Sequence, residues 1–194
     1  TNLGAKDVMT ATSADQAIRF CRNHRVDIIV CDLHLGTNKK NGFELYQELQ
    51  YRKMVSAGAV FLLISADATR PIVLGSLEHK PDDYLLKPFS QAQLKSRLNK
   101  SWQRKQYFLN VLQAMSKQEY TAAIEELDKL KDMPAPYQRM ALEIRLEILW
   151  HENQYEKALT LLNSHSDQLP TQWAQLALGK TYLAMHKFGD AIQC

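Results

Sequence analysis

The sequence predicts two domains in tandem: a doubly wound α/β domain over residues 1–100, then an all-α helical solenoid over residues 104–194. Three observations carry this. Strand-like runs alternate with short amphipathic helices through the first hundred residues, as parallel β-α-β units require. After about residue 100 strand candidates disappear, and Val111 is the last valine. The second half then repeats with a period near 34 residues, a solenoid period.

The α/β elements follow in order. Val8–Ala11 is a short strand candidate, and Ser13 caps a helix through Ala17, Ile18, Phe20 and Cys21, whose apolar residues fall at helical steps. Val26–Asp32 is a buried strand. Asn41-Gly42 opens a helix with Phe43, Leu45, Tyr46 and Leu49 on its apolar face. Ala59–Ile64 is a strand, Thr69–Glu78 a weak helix with Pro71 tolerated in its first turn, and Tyr84–Leu86 a short strand. Ser90 caps a last helix through Leu94 and Leu98. No Pro- or Gly-rich linker follows it, so this helix is expected to run on through Trp102 into Tyr107, Leu109 and Leu112.

Three strands end on chemically apt side chains: Asp32, Ser65 and Lys87. In an open parallel sheet the carboxyl ends of the strands share one edge, where ligands bind. A carboxylate, a hydroxyl and an ammonium gathered there suit an anionic group such as phosphoryl. The carboxylate can accept it, and the other two can hold its oxygens.

Bulk properties narrow the class. Of 194 residues, 45% are hydrophobic and 23% charged, an ordinary globular balance. No apolar run approaches a membrane span, and no signal-peptide pattern opens the chain. Cys21, Cys31 and Cys194 show no zinc spacing and read as reduced thiols, with Cys31 packed in the core. Residues 1–100 carry 14 Lys and Arg against 10 Asp and Glu; residues 101–194 carry 10 against 11. Neither half has the field of a dedicated nucleic-acid binder. The cluster Lys95, Arg97, Lys100, Arg104 and Lys105 has helical spacing and reads as a solvated face. His34 has no partner at metal-ligand spacing and reads as an exposed loop histidine.

In the second half, Tyr120, Tyr155 and Phe188 are spaced by 35 and 33, and an alanine follows each by three residues. Pro136 and Pro170 fall at unit ends, and Gly179 offers close helix approach. The aromatics are expected to pack between paired helices. This half resembles the tetratricopeptide repeat family, in units of roughly 104–137, 139–172 and 172–194, the last incomplete. The third matches best, through Leu178, Gly179, Tyr182, Phe188 and Ala191. The first is weaker, with Asn110 and Val111 where leucine and glycine are usual, and large residues such as Leu146 at small positions suggest degenerate repeats.

The first half resembles the receiver domain of two-component response regulators, on Asp32 in C-D-L-H-L-G, Ser65 in L-I-S-A-D and Lys87 in Y-L-L-K-P-F. The resemblance implies a flavodoxin-like fold with Asp32 as phosphoacceptor. Ser65 would bond the phosphoryl oxygen, Lys87 would offset its charge, and Tyr84 would be the switch aromatic beside Ser65. Mg²⁺ would be held by Asp32 and the backbone carbonyl of His34, together with an acidic pair from a first strand. That strand and pair are absent from this sequence, so either it is a fragment or the strand was lost. The site is then under-ligated, and little or no phosphorylation or Mg²⁺ binding is expected of this chain as given. A second departure is Gly36, where the family commonly has proline, in a loop to Gly42 about two residues longer than usual.

The resemblances imply a cytoplasmic, bacterial response regulator, not an enzyme. A histidine kinase or phosphotransfer protein would phosphorylate it, and its repeats would bind an unidentified protein. No nucleic acid or membrane partner is expected. A phosphorylation-independent receiver-like scaffold is the alternative. An aspartyl-phosphate hydrolase fits less well, because His34 stands where such enzymes carry a second acid. Unpaired sheet edges would invite homodimerisation or strand exchange.

Overall fold

A computed structural model describes residues 4–36, 40–67, 80–130, 133–165 and 171–194. The chain divides into two compact units, Thr1–Ser116 and Lys117–Cys194. The first comprises α1 (Ala14–Asn23), β1 (Ile28–Asp32), α2 (Gly42–Tyr51), β2 (Val60–Ser65), β3 (Asp83–Leu86), α3 (Gln91–Tyr107) and α4 (Leu109–Ser116). The expected helix at Thr69–Glu78 lies outside the described residues.

The three strands form one parallel sheet in the order β1-β2-β3. Every residue of the central β2 is buried, because both faces of the sheet are covered. On one face α1 and α2 bury Ile18, Cys21, Leu45, Tyr46 and Leu49 against Cys31, Leu33, Phe61 and Leu63. On the other, Leu98 of α3 joins Val60, Leu62, Ile64 and Leu85, with Leu94 and Trp102 packed alongside. The helix starts follow local chemistry. Ser13 accepts the Gln16 N–H. Asn41 with Glu44, and Ser90 with Gln93, form reciprocal capping boxes.

Three expectations are corrected here. Val8–Ala11 is not a strand; Val8 is 60% exposed and Met9 43%. A strand needs a hydrogen-bonded neighbour, and among the described residues β1 pairs with β2 alone. The helix from Ser90 does not run unbroken: it ends at Tyr107, and the fully buried Phe108 separates it from α4. The first compact unit extends to Ser116, because α3 and α4 are tied to the sheet. Leu109 lies against Gly58, where a Cβ would meet it at 2.7 Å, and Lys53 Nζ donates to the Ser116 carbonyl at 3.0 Å. The basic cluster on α3 is not simply solvated. Arg97 pairs with Asp83 at 3.1 Å, and Lys105 with Asp82 at 3.1 Å. Arg104 donates to the Asp82 carbonyl.

The second unit comprises α5 (Tyr120–Asp128), α6 (Ala135–His151), α7 (Tyr155–Ser164), α8 (Thr171–Ala184) and α9 (Phe188–Gln193). Each packs on the next. The sequence period has a backbone counterpart. Gln118, Asn153 and His186 all adopt positive φ, at 63°, 56° and 59°. Glu119, Gln154 and Lys187 follow with nearly identical angles, and from each the same first helical bond forms, to Ala123, Ala158 and Ala191. The alanines mark the packed positions: Ala123 and Ala158 are fully buried. The aromatics are less buried than expected. Tyr120 and Tyr155 are half-buried and Phe188 is 58% exposed. A tyrosine can keep its hydroxyl wet while its ring packs. Tyr120 stacks on His151 at 5.2 Å, and the Tyr155 hydroxyl donates to Asn153. Pro136 lies in the first turn of α6 instead of closing a unit, a position where its missing N–H costs nothing.

Candidate functional site

The strand register brings the predicted residues to one edge. Asp32 pairs with Ile64, and Ser65 with Leu86. Beyond the last rungs, Leu33 N–H donates to the Ile64 carbonyl at 2.7 Å, and Lys87 N–H to the Ser65 carbonyl at 2.8 Å. Asp32, Ser65 and Lys87 therefore leave β1, β2 and β3 at the same end. β1 and β3 are two strand spacings apart, about 10 Å, and the long Lys87 side chain bridges that gap to donate to Asp32 Oδ2. The His34 N–H donates to the other oxygen, Oδ1, at 3.0 Å.

Partial burial opposes ionisation of Asp32, but the Lys87 ammonium and the His34 amide outweigh it, holding the carboxyl below its ordinary range. Asp32 is thus an anion at neutral pH. About a third of its side chain reaches solvent, so the site is open.

The other predicted residues are placed as follows. Ser65 is 3% exposed, and its hydroxyl oxygen accepts the Asp67 N–H at 3.0 Å. This hydroxyl caps the following turn, and among the described residues its bonds are to Asp67 and not to the side chains of Asp32 or Lys87. Tyr84 packs its ring against the α1/α2 core. Among the described residues its buried hydroxyl has no hydrogen-bond partner, and burial pushes the phenol up to about 12. His34 is exposed, as its loop position implied. Beside Asp32, the Cys31 thiol is buried and pushed up to about 12, by desolvation first and the Asp32 charge second.

Gly42 is a site residue that sequence reasoning left as a helix start. A Cβ there would lie 2.3 Å from the Asp32 carbonyl oxygen and 3.0 Å from Cys31 Sγ. Only glycine lets α2 begin against the end of β1. The signal was available, since glycine at the first helical position needs a reason, and close backbone approach is one.

The residues do not by themselves fit a Mg²⁺ site. That ion takes near-octahedral oxygen ligation. Asp32 has both oxygens engaged, one by an ammonium, and among the described residues no three His, Cys, Asp or Glu side chains converge.

Residues 1–99 match the sequence model of the response regulator receiver domain. The chain is 30% identical over 142 residues to the alkaline phosphatase synthesis transcriptional regulatory protein PhoP of Bacillus subtilis, covering 73% of this chain and 56% of that protein. It is 28% identical over 114 residues to the transcriptional regulatory protein MalR of the same organism, covering 59% and 46%. It is 28% identical over 145 residues to the response regulator SaeR of Staphylococcus aureus, covering 74% and 60%. The chain thus spans about half the length of the curated relatives it matches. No helix among the described residues is long and apolar enough to cross a membrane.

Proposed function

This chain belongs to the response regulator receiver family, and on that premise we propose that it accepts a phosphoryl group on Asp32 in a two-component pathway and signals through protein–protein interaction by its helical repeats. The observation that carries the reading is the Asp32–Lys87 pair at the carboxyl ends of β1 and β3. An ionised Asp32 oxygen attacks the phosphorus of a phosphohistidine on a kinase or phosphotransfer protein. The P–N bond breaks, the imidazole leaves, and an acyl phosphate forms. Lys87 then offsets the added charge. Ser65 would exchange its bond to Asp67 for one to a phosphoryl oxygen, and the adjacent Tyr84 would respond.

The repeats supply the output in this reading. The three equivalent turns at Gln118, Asn153 and His186 support a tetratricopeptide-like array. Two of the relatives are transcriptional regulators by name; the even charge distribution of this chain favours a protein partner over nucleic acid.

One observation favours a second reading, a phosphorylation-independent scaffold: Lys87 and the His34 amide already engage both Asp32 oxygens. One experiment separates the two. The chain is treated with acetyl phosphate and Mg²⁺ and analysed by mass spectrometry. The 194-residue chain is expected to retain little acyl phosphate. Fusing an upstream strand that ends in two adjacent acidic residues is expected to raise labelling, and Asp32→Asn to abolish it. No labelling of the extended chain, or labelling that survives Asp32→Asn, overturns phosphoacceptance.

A further inference from the structure

Arg19, Arg22 and Arg25 recur at three-residue steps with no acidic residue between them, and all three are exposed. Helix-end electrostatics account for one of them. The negative end of a helix acts within its last turn, and of the three only Arg22 lies in the last turn of α1. Arg19 stands earlier in the helix and Arg25 beyond its end. Arg25 meets Asp27 at 3.6 Å, whereas among the described residues Arg19 and Arg22 make no ion pair. The surface continues onto α2. α1 leads into β1 and α2 into β2, and the Val60 N–H donates to the Asp27 carbonyl at 2.9 Å. Both helices therefore end at the amino edge of the sheet, opposite Asp32, and they pack on each other. α2 ends on Tyr51, which is 89% exposed. Arg52 follows and pairs with Glu48 at 2.8 Å.

We propose that Arg19, Arg22 and Arg25, with Tyr51 and Arg52 at the end of α2, dock an acidic segment of a partner protein. Three observations select protein carboxylates over a nucleic-acid backbone. Asp27 and Glu48 stand on the same surface, and their charges interrupt the continuous positive field that a phosphate chain follows. Arg25 and Arg52 already take carboxylates there, and Arg19 and Arg22 offer the same planar fork, which holds a carboxylate through two parallel bonds. The exposed ring of Tyr51 beside an arginine is the side-chain chemistry on which protein interfaces concentrate. Arg19 and Arg22 lie three residues apart on one side of α1. Their spacing matches carboxylates one helical turn apart in a partner helix, or two residues apart in an extended segment. The surface does not include Asp32, so docking is expected with or without a phosphoryl group on it.

The test is fluorescence anisotropy of a labelled glutamate-rich peptide titrated with the whole chain. Saturable binding is expected, weakening as salt rises. Arg19→Glu combined with Arg22→Glu is expected to weaken it by at least about tenfold. An unchanged melting transition shows that this variant folds, as suits two exposed positions. Arg19→Gln combined with Arg22→Gln, which introduces no new charge, is expected to lose binding in the same direction. Lys95→Glu, at an exposed position on α3, is expected to leave binding unchanged. The proposal is overturned if the peptide does not bind, if both double variants bind as the unaltered chain does, or if Lys95→Glu weakens binding equally. It is also overturned if duplex DNA binds more tightly than the peptide at the same salt and is released by the same double variants.

Discussion

Lys87 reaches across β2 to donate to Asp32, joining two residues 55 positions apart in the sequence. The contact needs all three strands in register, since an ammonium at the end of β3 meets a carboxylate at the end of β1 only over a correctly paired centre. Removing it tests the local electrostatics. Lys87→Met is expected to raise the Asp32 pKa, read by carboxyl NMR. A depressed carboxyl stabilises the fold above its unfolded pKa, and that stability is lost as pH falls through the folded value. Lys87→Met should therefore flatten the acid limb of stability against pH. Both partners are more than a third exposed, or close to it, so the loss at neutral pH should stay under about 1 kcal/mol. A larger loss at neutral pH would show that the pair acts as a buried one.

Gly42→Ala should destabilise the first unit by roughly 1–3 kcal/mol, because its methyl would overlap the Asp32 carbonyl and α2 would have to shift. Urea denaturation measures the loss. At Gly36, where the space around a Cβ is open, alanine should cost only the strain of φ 70°, roughly 1–2 kcal/mol.

Asp82 is expected to be the most sensitive carboxylate in the first unit. It meets Lys105 at 3.1 Å with both side chains 12% exposed, and it accepts the Phe61 N–H at 2.8 Å. Asp82→Ala would leave the Phe61 N–H unpaired and take the counter-charge from Lys105, whose ammonium keeps the Ala57 carbonyl, and should cost about 3–5 kcal/mol. Lys105→Met leaves the Phe61 bond in place and should cost visibly less. Equal losses in thermal melts would show that the ion pair alone matters.

Among the described residues the buried Tyr84 hydroxyl has no partner. Tyr84→Phe should therefore leave stability unchanged or raise it by up to about 1–3 kcal/mol, the desolvation an unsatisfied group costs. A clear loss of stability would reveal a hydrogen bond in solution.

The thiols should react in the order of their exposure. Cys194 is exposed, whereas Cys21 and Cys31 are buried with raised pKa values. A disulfide reagent at mildly alkaline pH is expected to modify Cys194 promptly and the other two only on unfolding. As pH rises from the ordinary thiol range through about 12, the unfolded chain ionises Cys31 more readily than the folded one. Stability should fall across that window, and rapid labelling of Cys31 in the folded protein would contradict its placement.

What was local in cause was legible in the sequence. Ser13, Asn41 and Ser90 start their helices because a side-chain oxygen meets an orphan N–H a few residues on. Val60–Ser65 announced itself as a buried strand by its apolar run, whereas Val26–Asp32 read the same way although Ile28 and Val30 of β1 are 42% and 43% exposed on an edge strand. The strand-end positions of Asp32, Ser65 and Lys87 followed from the parallel-sheet pattern. The 35- and 33-residue spacings foretold where the turns recur. Only the tertiary structure decided matters that depend on a neighbour distant in sequence. Val8–Ala11 has strand-forming residues but no paired strand, so its propensity goes unused. The basic run on α3 looked solvated until Asp82 and Asp83 were placed under it. Gly42 is needed because α2 starts against the Asp32 carbonyl. Ser65 turns to Asp67 while Lys87 takes Asp32, a choice among donors that no spacing in the sequence expresses, because it is made by distances across the sheet.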